Sequence, residues 1–401
     1  MAPSAPATPG QPRLLRMLND RTGLDLLLEL GPLSRVQICE LTGLSKPTAS
    51  KLLARLEEAG LVRPVGTSSG GPGRNAVLYA VDGSVAQVGA VDVRPRRATA
   101  RITDLAGTVL AEEHVPAGRD STPATTVRAA LDAAGRAAGV RADMLHSVAI
   151  SIGGAYDEAT DRLSLLGGTP GWSAPDALAS VRAALAPAAV LVENDVKLAA
   201  VAERAQGVAR TATSFAVLWV SAGLGLASDV GGMLHRGATG GAGEIGYMPV
   251  LGGPSDQRPR DFQDLVGAPA VQALARQHGI RARSAAQAVA KACAAGAAGD
   301  PAAEAFIDEL ASRLASGLAV ITSVLDPHLV VLSGDVCSAG GEHLARRVER
   351  ALRRLSKLRP ALLVSGVPGD PALAGATELA LRHTRDALFR ASAEALVGNV
   401  R

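Results

Sequence analysis

Aromatic residues are nearly missing: two Trp, three Tyr and four Phe in 401 residues. That excludes aromatic cages for cations and base-stacking platforms, which need several rings on one surface. Cysteine is as scarce, with Cys39, Cys293 and Cys337 far apart. Neither a disulfide framework nor a CxxC metal pattern can be built from them, and a reducing, cytoplasmic setting is expected. No uninterrupted apolar run reaches membrane-spanning length. The nearest, Phe215–Leu234, is broken by four glycines and Asp229 and reads as two buried strands around a turn. No membrane partner is expected. Residues 1–12 are rich in Ala, Pro and Ser without an apolar centre, so they read as a disordered tail and not a signal peptide.

Charge is present but uneven. Of 41 Lys/Arg and 38 Asp/Glu, nine basic and six acidic residues fall in the first 80, leaving 32 of each sign in the remainder. The net charge of +3 therefore sits in the first fifth of the chain, as a modest nucleic-acid footprint requires.

The chain divides near residue 80. Residues 13–82 carry helical patterns at Thr22–Leu30, Ser34–Leu41 and Ser45–Ala59, then two strand-like runs, Leu61–Pro64 and Ala76–Val81, around a Gly/Ser-rich hairpin loop at 66–73. Ser34 and Ser45 are good N-caps, Gly43 supplies a turn between helices, and Pro47 falls in a first turn where its missing N–H costs nothing. Ala49, Leu52, Leu53 and Leu56 recur at helical spacing and face a core. That leaves Ser45, Lys46, Thr48, Ser50, Lys51 and Arg55 outward: short polar groups for base edges and cations for phosphates, as a recognition helix needs. Arg74 in the wing is expected to reach a neighbouring groove or phosphate. The expectation is a winged helix-turn-helix that binds a double-stranded DNA operator.

Residues 86–401 alternate strands and helices, an α/β pattern, and the strand-rich openings at Val88 and Ser214 suggest two related halves, about 86–193 and 194–375, followed by C-terminal helices. After Ser333 only helices are predicted. Arg94–Arg97 reads as a hairpin turn with solvated cations.

The strongest motif is Gly231–Gly246, which ends in Gly243-Glu244-Ile245-Gly246. With Glu193-Asn194-Asp195, Gly171-Trp172 and the run from Leu325 to Gly334, it resembles the ROK family of bacterial transcription repressors and sugar kinases. The resemblance covers nearly the whole chain and implies an actin/hexokinase-like fold of two α/β lobes with a sugar cleft between them. In family kinases the Asp of Glu-Asn-Asp is the general base, here Asp195, and the Asn holds the sugar, here Asn194. Glu244 matches a sugar-binding Glu, Gln263 stands for another, Tyr247 occupies the place of a His, and Gly153-Gly154 replaces a Pro-Gly. The sugar-site expectation is thus Gly154, Asn194, Asp195, Glu244, Tyr247 and Gln263.

The departures bear on activity. Where family kinases have a glycine-bearing phosphate loop, this chain reads Asp92-Val93-Arg94-Pro95-Arg96, so a glycine is replaced by Arg94 and Pro95 removes a donor. The second loop, usually Gly-Thr-Gly, reads Ser221-Ala222-Gly223. Phosphoryl transfer depends on positioning and charge stabilisation, so no enzymatic activity and no cofactor are expected. The family's zinc cysteines are missing between Tyr247 and Cys293, so no metal is expected. A homodimeric or homotetrameric transcription repressor with a sugar-type effector completes the expectation, with a sugar kinase carrying an accessory DNA-binding domain and a ligand-blind regulator as the alternatives.

Overall fold

The computed structural model describes residues 11–68, 76–118, 121–169, 171–250 and 260–398. The expected loop at 66–73, the disordered tail and the segment that lacks zinc ligands therefore lie largely outside the described residues.

The N-terminal head runs α1 (Gln11–Leu30), β1 (Leu33–Ser34), α2 (Arg35–Thr42), α3 (Lys46–Glu58), β2 (Val62–Ser68) and β3 (Ala76–Val81). α2 starts with a capping box, Ser34 with Gln37, and stops at Gly43, whose φ of 70° lies in the left-handed region. Ser45 caps α3 by accepting from the Thr48 N–H, with Pro47 in the first turn. Ala49, Leu52, Leu53 and Leu56 are buried together against Leu24, Leu27 and Ile38. α1 begins eleven residues before the expected start, and Leu15 and Leu18 along that stretch are exposed, so they add no buried stripe for periodicity to register.

The body holds two five-stranded sheets. The first takes β4 (Gln87–Arg94), β5 (Arg97–Asp104), β6 (Val109–Pro116), β7 (Ser147–Ile152) and, beyond a short hairpin of β8 (Ala155–Asp157) and β9 (Arg162–Ser164), β10 (Ala189–Asn194). α4 (Pro123–Ala138) and α5 (Ala177–Leu185) cover one face, and α6 (Asp195–Gln206) leaves β10 at once. The second half opens with β11 (Ser214–Val220), β12 (Leu224–Val230) and β13 (Met233–Leu234), then a two-stranded ribbon of β14 (Pro249–Val250) and β15 (Arg260–Asp261). α7 (Phe262–Val266), α8 (Ala268–Gln277), α9 (Ala285–Ala297) and α10 (Pro301–Leu325) follow, then β16 (Leu329–Ser333), α11 (Gly334–Leu355), β17 (Ala361–Val364) and α12 (Pro371–Gly398).

Both sheets have one topology. In the first the order is β6-β5-β4-β7-β10, in the second β13-β12-β11-β16-β17, so each half places its third, second, first, fourth and fifth strands side by side. The first three are antiparallel and the last two join in parallel. The repeat hinted at by Val88 and Ser214 is present. β17 corrects the expectation of helices alone after Ser333: a four-residue apolar run carries no period by which to tell strand from helix, and its pairing to β16 decides it.

α6 and α12 fill the space between the sheets. Val196, Ala199 and Ala200 of α6 bury against Phe215, Val217 and Trp219 of the second sheet. Leu373, Ala376 and Ala380 of α12 bury against Val88, Ala90 and Ala149 of the first. The two helices touch backbone to side at Gly375, where a Cβ would stand 1.8 Å from the Leu198 carbonyl oxygen. Beyond that point α12 runs to the head. Ser147 bridges to the Thr384 hydroxyl at 2.7 Å, Arg385 donates twice to the Leu105 carbonyl, Arg21 of α1 pairs with Asp386, and Leu388 and Phe389 pack on the head core.

Candidate nucleic-acid interface and ligand cleft

α3 presents Ser45, Lys46 and Lys51 exposed, with Thr48 and Ser50 half-buried. All three short polar groups are partly engaged within the head. Ser45 Oγ lies 2.8 Å from Thr48 Oγ1, and Ser50 Oγ donates to the Lys46 carbonyl while accepting from Arg35 at 3.0 Å. That second contact brings Arg35, which sequence reasoning passed over, from α2 to the α3 surface. Its signal was legible only as one more cation in a helix start.

Arg55 corrects an expectation. It does not stand free on the outer face: Nε donates to Asp20 Oδ2 at 2.8 Å and a second nitrogen pairs with Oδ1, with side-chain exposures of 23% and 13%. The bidentate pair ties α3 to α1 and is nearly out of water, so its loss leaves an uncompensated carboxylate. Arg55→Ala is expected to lower head stability by about 2 kcal/mol, read by denaturant titration, and to leave the salt dependence of DNA binding unchanged. Arg74 lies outside the described residues.

Between the two halves lies a cavity of about 440 Å³. All six expected sugar-site positions, Gly154, Asn194, Asp195, Glu244, Tyr247 and Gln263, line it, together with Arg94, Trp219, the Ser221–Gly223 turn and Asp261. They arrive from different elements: Asn194 and Asp195 from the β10–α6 junction, Glu244 and Tyr247 from the glycine-rich segment after β13, Gln263 from α7.

Their engagements differ. Asn194 caps α6 by accepting from the Val196 and Lys197 N–H groups at 2.9 and 3.0 Å, and donates to the Gly154 carbonyl at 2.8 Å. Most of its hydrogen-bonding capacity is spent on holding Gly154 beside Asp195. Gly154 needs its glycine: φ is 107°, and a Cβ would meet the Ser164 carbonyl at 2.6 Å. Gln263 reaches the Ala222 carbonyl at 3.4 Å, and Tyr247 stands at the mouth, 63% exposed. Asp195 Oδ1 accepts from Val196, leaving Oδ2 toward the cleft. The Glu244 carboxylate has no hydrogen-bond partner among the described residues, so it is the open acceptor of the site. Burial pushes the pKa of both carboxyls up, opposed by Arg94 at Asp195 and by Lys197 at Glu244.

Two cations here were not legible as site residues. Lys197 is 1% exposed, and its ammonium donates to the Gly240 carbonyl, pinning the glycine-rich segment to α6. Burial lowers its pKa, and Glu193 and Glu244 oppose that. Arg94 corrects the reading of a solvated turn. Arg96 and Arg97 are exposed, but the Arg94 guanidinium turns inward, 5.9 Å from the Trp219 ring. Its Nε bonds Asp92 at 2.6 Å, and its other nitrogens lie 3.5 Å from Asp370 and 4.0 Å from Asp195. Asp92 is buried beneath it and also accepts from Ser151 at 2.7 Å. A buried carboxylate two residues away was the available signal for this fold-back, which no turn rule contains.

Residues 88–383 match the ROK family and residues 8–74 the MarR family. The chain is 24% identical to the xylose repressor of Bacillus spizizenii over 248 residues, 59% of this chain and 61% of that protein. It is 28% identical to the DNA-binding transcriptional dual regulator NagC of Escherichia coli over 257 residues, 62% of each. The match thus spans about three fifths of these relatives' length. Among solved structures, a ROK family transcriptional regulator that is a homologue of the E. coli MLC protein superposes with a TM-score of 0.71 at 19% identity, over 94% of this chain and 99% of that one. The ROK hexokinase of Thermus thermophilus gives 0.60 at 26% identity, over 75% and 99%. Among the described residues no helix is long and apolar enough to cross a membrane.

Proposed function

This chain belongs to the ROK family, and from that premise we propose that it is a transcription repressor whose α/β body senses a sugar or sugar derivative and does no phosphoryl transfer. Its winged helix-turn-helix would enter the major groove through α3, with Ser45, Thr48 and Ser50 toward base edges and Lys46, Lys51 and Arg35 toward phosphates. As a cytoplasmic homodimer or homotetramer it would bind a pseudo-palindromic operator with half-sites about 34–36 Å apart or a multiple of that.

The observation that carries the reading is α12. It begins beside the cleft residue Arg94, where Asp370 caps it by accepting from the Ala372 and Leu373 N–H groups, and reaches the head core at Leu388 and Phe389. Nineteen residues of helix separate Asp370 from Phe389, about 28 Å at 1.5 Å per residue. A ligand that prefers one packing of α6 against α12 would shift the population of head placements, which is all that allosteric control requires. Against the kinase reading stands Arg94, whose side chain fills the position of the loop glycine with its charge already bonded to carboxylates.

The test is fluorescence anisotropy on DNA from upstream of the protein's own gene, with a panel of free and phosphorylated sugars. One sugar is expected to shift the binding curve. Glu244→Gln is expected to weaken that response about tenfold or more while leaving DNA affinity without sugar unchanged, since it removes a charged acceptor from the cleft and nothing from the head. DNA binding that no sugar moves would end the sensor reading. ADP release above background in a coupled assay, abolished by Asp195→Asn, would overturn the non-enzymatic one.

A further inference from the structure

The charges around the cleft say which sugars it takes. Of the described residues lining the cavity, Arg94 is the single cation, whereas Asp195, Glu244 and Asp261 bring carboxylates. The charge of Arg94 is already met by three carboxylates: its Nε bonds Asp92 at 2.6 Å, and its other nitrogens lie 3.5 Å from Asp370 and 4.0 Å from Asp195. Lys197, the next cation inward, is spent on the Gly240 carbonyl, and Arg236 beside it is bonded to Glu193 at 2.6 Å.

The opposite wall is closed to anions in a second way. The Ser221 N–H, in the turn that matches a phosphate loop, donates to the Gly223 carbonyl at 2.9 Å. The Ser221 hydroxyl donates to Asp335 at 3.0 Å. Asp335 stands in the first turn of α11, so a negative charge already sits at the helix end that would otherwise favour a phosphate.

We infer that the cleft takes a sugar without a phosphate and rejects sugar phosphates and nucleoside triphosphates, because the carboxylates of Asp92, Asp195 and Asp370 outweigh the one cation at the cavity and Asp335 sets a further negative charge at the facing helix end. The inference rests on the sugar-sensing reading and narrows it to neutral or amine-bearing sugars. Glu244, open and carboxylate-bearing, suits hydroxyl or ammonium donors and repels phosphate.

Isothermal titration and thermal shift on the full-length protein test it, with glucose, glucosamine and N-acetylglucosamine, their 6-phosphates, and inorganic pyrophosphate. Any parent sugar that binds is expected to lose about a hundredfold on phosphorylation, and pyrophosphate is expected to be excluded. The double variant Asp370→Asn, Asp335→Asn keeps the cap of α12, since Asn caps as well as Asp, but releases Arg94 and Ser221. It is expected to bind pyrophosphate about tenfold tighter or more than the unmodified chain. A 6-phosphate that binds as tightly as its parent, or a double variant that gains no pyrophosphate affinity, overturns the inference. If every sugar is silent while the variant still gains pyrophosphate, the sugar-sensing reading fails and the closure of the site to phosphate stands.

Discussion

With Lys46 and Lys51 both replaced by alanine, DNA binding is expected to fall by roughly tenfold to a hundredfold near physiological salt, and the slope of log K against log salt to become shallower by about 1.8. The two ammonium groups are exposed on α3, one at its first residue and one a turn and a half later, and neither has an ion-pair partner among the described residues. Each phosphate they neutralise releases condensed counterions, so removing two contacts changes the slope by about two units of 0.9. Neither side chain holds the head together, so its stability should change by less than ~0.5 kcal/mol. Anisotropy titrations at three salt concentrations would measure both quantities. An unchanged slope would remove α3 from the DNA-facing side. The contrast with Arg55→Ala is informative, because that cation is spent on Asp20 and should cost stability without touching the slope.

Gly375→Val is expected to be the most damaging single change in the body. The α6–α12 contact has no room for a side chain: a Cβ at 375 would overlap the Leu198 carbonyl, and that oxygen belongs to a buried helix backbone that cannot turn aside. Either the helices separate, opening the buried layer of Leu198, Leu373 and Ala376, or the variant does not fold. The expected cost is about 3 kcal/mol or more, a melting temperature lower by roughly 10 °C. In a variant that still folds, any sugar response of DNA binding should be lost before DNA binding itself, because the head does not contain the contact. A folded Gly375→Val protein with a full sugar response would show that α6 and α12 do not carry the signal.

The head was the most legible region. Capping serines and Gly43 act within one turn of helix and the four-residue apolar stripe within about two, so local chemistry determines them. The two related halves showed as repeated strand-rich openings, and the cleft-lining residues showed through the resemblance of short motifs. What stayed hidden was set by distance along the chain. Nothing near Arg55 announces Asp20, thirty-five residues earlier, and nothing near Arg94 announces Asp370. Asn194 is a helix cap as well as a cleft residue: its bonds from the Val196 and Lys197 N–H groups are local geometry, whereas its bond to the Gly154 carbonyl reaches back 40 residues. Nothing local marks Lys197 at the start of α6, because its partner, the Gly240 carbonyl, lies in the returning glycine-rich segment.

Arg94 is also bound to its surroundings. Its replacement by glycine would strip the counter-ion from Asp92, which is almost wholly buried, and leave it facing Asp195 and Asp370. An uncompensated buried carboxylate costs several kcal/mol, a large fraction of a domain's total stability. A glycine-bearing loop at this turn would therefore need a second change that relieves Asp92. The arginine and its cage of carboxylates lock each other in place, so the demand for a folded protein alone would keep it, whatever the ligand.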